Sequence, residues 1–220
     1  MKDQFSSITF AAAKAYTDAH GGGAPDYNFS FTSTGLFQYP EEIIIPDNVV
    51  TLTGNSAAAF LNHSEIKKIS FSENCQVTEI TDNAFSGCSG LEYIELPHLL
   101  MGIRSFAFAG CSKLKTMIFK KEPTSIDYPS ASSANPFGAL TALENIQLTP
   151  DWTLSMYVAT SQGAGFGTRL LTHDCLINMI DCLHDFSGGD AHTLSVGGYN
   201  TARLSADEIA VATAKNWSLG

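Results

Sequence analysis

The chain has 220 residues, of which 44% are apolar and 15% charged, and its formal net charge is −10. That is enough apolar material for a buried core in one large domain or two small ones, and it argues against disorder across the chain. The negative charge argues against nucleic acid as a partner, because phosphates would be repelled and the densest basic sites are only Lys67-Lys68 and Lys120-Lys121.

The first segment, residues 1–25, is predicted to be a helical attachment segment ending in a hinge. Phe5, Ile8, Ala12, Ala15 and Ala19 are spaced 3-4-3-4, which puts them on one helical stripe, and "HGGGAP" stops the helix. A helix this short is marginal alone in water. It is therefore expected to pack on its own domain, on a partner, or on copies of itself in a short coiled coil, and the stripe is the candidate oligomerisation surface. The segment does not read as a secretory signal: Asp3 follows Lys2 at once, and the alanine-rich stretch is broken by Lys14 and Asp18. No uninterrupted apolar run approaches the ~18 residues of a membrane span, so no membrane insertion is expected.

Residues 36–160 read as a repeat array. "AFSGCSGLEYIEL" at 84–96 recurs as "AFAGCSKLKTMIF" at 107–119. The skeleton L-x-x-L-x-L appears as "IKKISF" from Ile66, "LEYIEL" from Leu91, "LKTMIF" from Leu114 and "LENIQL" from Leu143, at spacings of 25, 23 and 29 residues. "EEIIIP" with "VVTLTGNSAAAF" forms a degenerate first copy. Such a period is the signature of leucine-rich repeats: each unit has one apolar face that it cannot bury alone, so neighbours stack into a continuous core. Phe85 and Phe108 are expected to point inward and stack between repeats, and Gly87 and Gly110 to permit a tight turn before Cys88 and Cys111. Pro97 is expected to end strand pairing. The insertion "DYPSASSANP" at 127–136 makes the third repeat irregular. The five cysteines, an odd number with no C-x-x-C, favour small buried apolar residues over a disulfide framework or a zinc site; a bridge between Cys88 and Cys111 is the alternative.

Residues 168–220 read as a helix–strand–helix–strand unit that closes the array. Leu176, Ile180 and Leu183 share a helical face, "HTLSV" is strand-like, and Ser205 with Glu208 forms a capping box before an apolar-periodic run. "GAGFG" at 163–167 lacks the flanks of a phosphate loop and reads as a flexible join.

The repeat "IRSFAFAGCSKLKTMIF", like "AFSGCSGLEYIELP", resembles the BspA-type leucine-rich repeat over about residues 66–150. The resemblance implies an α/β, right-handed solenoid of short parallel strands, found in surface-exposed bacterial proteins and adhesins without catalytic activity. The third unit departs from it in lacking the cysteine. The C-terminal stretch from "LINMIDCLHDF" to "KNWSLG" is similar to a segment of phage and prophage tail-associated proteins of intestinal bacteria. "AAAKAYTDAHGGG" resembles the opening helix of distal tail or fibre proteins. These resemblances imply a virion protein, trimeric by fibre analogy, with a bacterial cell-surface adhesin as the alternative.

A search for chemistry yields no catalytic, cofactor or metal assignment. None of the six histidines forms H-E-x-x-H or sits at metal-ligand spacing. Asp181, His184 and Asp185 fall on one predicted helix, where a solvated polar face is preferred over a carboxylate–histidine site. Three Asn-x-Ser triplets, at Asn28, Asn62 and Asn216, read as coincidental. The candidate binding surface is instead the solvent side of the stacked strands: Lys68, Ser70, Tyr93, Glu95, Thr116, Ile118, Asn145 and Gln147, with Tyr93 and Ile118 as anchors. The expected partners are a protein or glycan on a cell surface, or other virion proteins. The loop at 127–136 is the rival surface.

Overall fold

The structure is a computed structural model describing residues 41–45, 47, 49, 50, 52, 60–127, 135–159 and 170–220. The helix expected over 1–25, its stripe Phe5, Ile8, Ala12, Ala15 and Ala19, the join at 163–167 and most of the 127–136 insertion lie outside them.

The repeat period becomes two parallel sheets. The larger has five strands in chain-ordered register: β1 (Glu42–Ile45), β2 (Lys68–Phe71), β4 (Tyr93–Glu95), β6 (Thr116–Ile118) and β8 (Asn145–Gln147). The smaller joins β3 (Glu79–Ile80), β5 (Gly102–Ile103) and β7 (Ser125–Ile126). Each L-x-x-L-x-L hexad thus supplies one strand of the larger sheet, and Ile80, Ile103 and Ile126, between the hexads, lie in the strands of the smaller. Positions 1, 4 and 6 of every hexad are buried, from Ile66, Ile69 and Phe71 through Leu143, Ile146 and Leu148. Register runs Ile43–Ile69–Ile94–Met117–Ile146 straight through the core.

A column of rings runs beside these strands. Phe60, Phe85, Phe108 and Phe137 stack at centroid spacings of 5.2, 5.3 and 5.9 Å, with interplanar angles of 15°, 14° and 1°. The expected stacking of Phe85 and Phe108 is borne out and extends one repeat in each direction. Backbone bonds tie the same turns together: the amide of Phe60 donates to Ala84 O, that of Phe85 to Ala107 O and that of Phe108 to Pro136 O, at 2.7–2.9 Å. Two residues after each ring the chain turns left-handed, at Asn62 (φ 63°), Gly87 (73°), Gly110 (79°) and Ala139 (64°). Glycine suits Gly87 on both counts: its φ is positive, and a Cβ there would lie 2.1 Å from Asn62 Oδ1, which would have to move. His63, Cys88, Cys111 and Leu140 follow, all buried. Leu140 fills the slot that lacks its cysteine.

All five cysteines are free thiols. Each donates to a main-chain carbonyl of the preceding repeat: Cys75 to Val49, Cys88 to Phe60, Cys111 to Phe85, Cys175 to Ile146 and Cys182 to Leu148, at 2.9–3.7 Å. Cys88 and Cys111 are therefore not bridged. Burial pushes the Cys88 thiol up to about 12 and raises the others, which leaves little thiolate at neutral pH.

The C-terminal unit runs β9 (Met156–Ala159), α1 (His173–Cys182), β10 (His192–Val196), α2 (Gly198–Thr201), α3 (Ala206–Ala214) and β11 (Trp217–Leu219). Its parallel sheet has the order β11-β10-β9. Strand β9 falls within the 36–160 range yet pairs with β10, so this sheet draws on both ranges. The capping box of Ser205 and Glu208 forms as expected, and Thr172 caps α1 through Cys175 N. Helix α1 lies against β8: Thr172 N donates to Glu144 O at 2.9 Å, and Ile146 N donates to Cys175 Sγ at 3.1 Å.

The ring column spans four consecutive repeats. Phe108→Ala, which removes the ring contacting two neighbours, is expected to lower unfolding free energy by about 3–5 kcal/mol, and Phe108→Leu by much less. Urea unfolding followed by circular dichroism measures both.

Candidate functional site

The outward positions of the larger sheet form two columns. Glu42, Lys68, Tyr93, Thr116 and Asn145 are in register in one. In the other, Ile44 pairs with Ser70, and Glu95, Ile118 and Gln147 are in register. All eight residues expected on this face lie on it. Gln147 is exposed and the other seven are half-buried. Ile44 joins them as the most exposed large apolar side chain of the sheet, at 62%; it was hidden in the degenerate first copy.

Tyr93 is more constrained than a free anchor. Its hydroxyl donates to Glu95 Oε1 at 2.5 Å, and Lys68 Nζ stands 5.5 Å from its ring centroid. Glu95 also receives Lys120 Nζ at 2.7 Å. Burial and the adjacent Glu95 push the Tyr93 phenol up to about 12, and the bonds from Lys120 and Tyr93 hold the Glu95 carboxyl below its usual range.

Beside the columns runs a row of alternating charge that the sequence reading missed: Glu41, Lys67, Glu92, Lys115 and Glu144. Lys67 Nζ meets Glu41 at 2.5 Å and Lys115 Nζ meets Glu92 at 3.9 Å. The main-chain carbonyls of Glu41, Lys67, Glu92 and Lys115 each accept two amides from the next repeat. The signal was available: these residues occupy or flank position 2 of the aligned hexads, and their signs alternate. Lys68 meets Glu42 at 3.8 Å in the same way. On the smaller sheet Arg104 binds both Glu79 and Asp127, the latter at 3.3 Å.

The side chains of Thr116, Asn145 and Gln147 are different. Among the described residues they take part in no hydrogen bond or ion pair. On this face Glu41, Glu42, Glu92 and Glu95 pair with lysines across repeats, whereas the neutral side chains of Thr116, Asn145 and Gln147 are left for solvent.

The polar residues of the C-terminal unit do not converge as one helical face. Helix α1 ends at Cys182, and Leu183 is its C-cap with extended backbone (φ −65°, ψ 133°). His184 and Asp185 thus lie beyond the helix rather than on it with Asp181, as was expected from the spacing. His184 Nδ1 instead faces Asp151 at 3.7 Å, and Asp185 accepts from Ser187 N. His173 Nε2 meets Glu208 at 3.1 Å. Phe186 stacks on His192 at 3.8 Å and meets His184 edge-on. Among the described residues, no group of three His, Cys, Asp or Glu side chains could hold a metal ion, and no helix is long and apolar enough to cross a membrane.

A family model for the BspA type leucine rich repeat region matches residues 28–153, in six copies. The chain belongs to the BspA-type leucine-rich repeat family. No curated protein and no solved structure matches it. Membership agrees with the parallel sheets and with the hexad skeleton, and it places the chain among repeat domains that mediate binding. The match begins ahead of the first clear hexad at Ile66, so the degenerate copy is a member of the array.

Tyr93 gives this face a spectroscopic handle. A phenol held near 12 in the fold against about 10 unfolded favours the neutral form. Its stabilising contribution is whole below about pH 10 and is lost as pH rises toward 12. Absorbance at 295 nm should show a late-titrating tyrosine that Tyr93→Phe removes. A native Tyr93 ionising near 10 would contradict the bond to Glu95.

Proposed function

We propose that the chain is a non-enzymatic binding protein that presents the outward face of its five-stranded sheet to a partner. The observation that carries this is the sorting of polar groups on that face: Glu41, Glu42, Glu92 and Glu95 pair with lysines across repeats, and among the described residues the side chains of Thr116, Asn145 and Gln147 remain unengaged. Family membership supports a binding role of the protein-binding or adhesin-like kind. In this reading the array is a solenoid, and the C-terminal unit acts as its cap. An open final repeat would leave the β8 edge exposed to pairing with other chains; the bonds from Thr172, Cys175 and Cys182 to the 144–148 segment support the assignment.

The proposed setting is a phage or prophage tail or fibre, with residues 1–25 as the attachment and oligomerisation segment, trimeric by fibre analogy. The similarity of the C-terminal segment to tail-associated proteins supports it. A bacterial cell-surface adhesin is the second reading, supported by the repeat family itself. Quantitative mass spectrometry of purified particles and of the producing cells' envelope and soluble fractions tests both. Enrichment in particles is expected. Enrichment in the envelope would replace the virion with the adhesin, and confinement to the soluble fraction would overturn both.

A further inference from the structure

The unengaged groups define a small patch whose chemistry narrows the partner. Thr116 lies opposite Asn145, and Ile118 opposite Gln147, in one register on adjacent parallel strands. Strand spacing and residue rise set these four side chains at the corners of a rectangle about 5 by 7 Å, commensurate with one sugar ring. Each carboxamide offers both a donor and an acceptor, and the threonine hydroxyl offers both as well. Vicinal sugar hydroxyls need that combination. Ile118, half-buried, supplies one aliphatic surface for the C–H side of a ring.

The surroundings select against charge. Glu95 is in register with Ile118, and Glu144 precedes Asn145, so carboxylates border the patch on two sides. Lys115, the nearest ammonium beside Thr116, is paired with Glu92 at 3.9 Å, and Lys120 with Glu95 at 2.7 Å. Among the described residues, the two lysines nearest the patch are thus already paired with carboxylates, and the chain's net charge of −10 adds to the repulsion of a sialate, sulfate or phosphate. A protein partner would call for aromatic or large aliphatic anchors at the centre of the contact. Here Ile118 is the one apolar corner, and the Tyr93 ring, in register with Thr116, already carries Lys68.

We propose that Thr116, Ile118, Asn145 and Gln147 form a subsite for an uncharged carbohydrate. The proposal rests on the binding-face reading and names its ligand class. The probe is a glycan microarray carrying neutral oligosaccharides beside their sialylated and sulfated counterparts, read with the full chain. Neutral members are expected to bind in preference to their acidic counterparts. Calorimetry on the strongest neutral member should give affinities that agree within about twofold between about 50 and 500 mM NaCl, because no ion pair is formed. Asn145→Ala and Gln147→Ala should each weaken binding by about tenfold with an unchanged melting temperature, and Gln147→Glu, which keeps the shape and adds a charge, should do the same.

Binding confined to acidic members would overturn the proposal. So would an absence of glycan binding; if Gln147→Arg then still abolished attachment of the chain to its cells or particles, the face reading would survive and the carbohydrate would not. Glycan binding insensitive to all three substitutions would overturn both.

Discussion

A column of phenylalanine rings and the parallel strands beside it must advance by the same distance per repeat. Parallel strands sit about 4.8 Å apart, and the near-parallel rings of Phe60, Phe85, Phe108 and Phe137 follow at 5.2–5.9 Å. A repeat can vary in length, from 23 to 29 residues between hexads, only if the extra chain leaves this advance unchanged. The insertion at 127–136 does so: Phe137 still stacks, and Thr116 still pairs with Asn145. The left-handed turn after each ring follows from the same constraint, because it brings a buried residue back under the column within three positions.

The thiols belong to this architecture rather than to chemistry. A cysteine fills the buried position three residues after the ring and carries one weak donor, which Cys88 and Cys111 each use on a carbonyl of the preceding repeat. Buried in this way the thiol is held protonated, and the two cysteines of adjacent repeats bond to different turns instead of to each other. Where the slot passes to Leu140, packing continues without that bond.

Much of this was legible in the sequence because the repeat displays one environment several times. The hexads Ile66–Phe71 and Leu91–Leu96 share apolar positions 1, 4 and 6, and every one is buried. Phe85 and Phe108 could be paired because Ala-Phe-x-Gly-Cys brackets both. Phe60 and Phe137 were harder: their turns carry Asn62 and Ala139 where glycine stands elsewhere, so the motif fades while the left-handed backbone persists. The charge row was missed because single lysines and glutamates look like ordinary solvated surface until the repeats are laid side by side. In the C-terminal unit, periodicity carried α1 too far. Leu183 continues the apolar spacing, but its extended backbone turns the chain so that His184 bonds across to Trp152. On the face, sequence identified which side chains point outward. It did not show that Tyr93 and Glu95 are engaged with each other, because that depends on two residues of one strand reaching the same side with Lys120 beside them.

If the ring column and the strands are one cooperative element, their amides should open together. Hydrogen exchange resolved by residue measures this directly. The amides of Phe85, Gly87, Phe108 and Gly110, which bond from one turn to the next, should exchange with the same free energy of opening as those of Ile94 and Met117 in the sheet, at the level of global unfolding. Turn amides that exchange through a much cheaper local opening, while the strand amides stay protected, would contradict the account: the strands alone would then hold the repeats together.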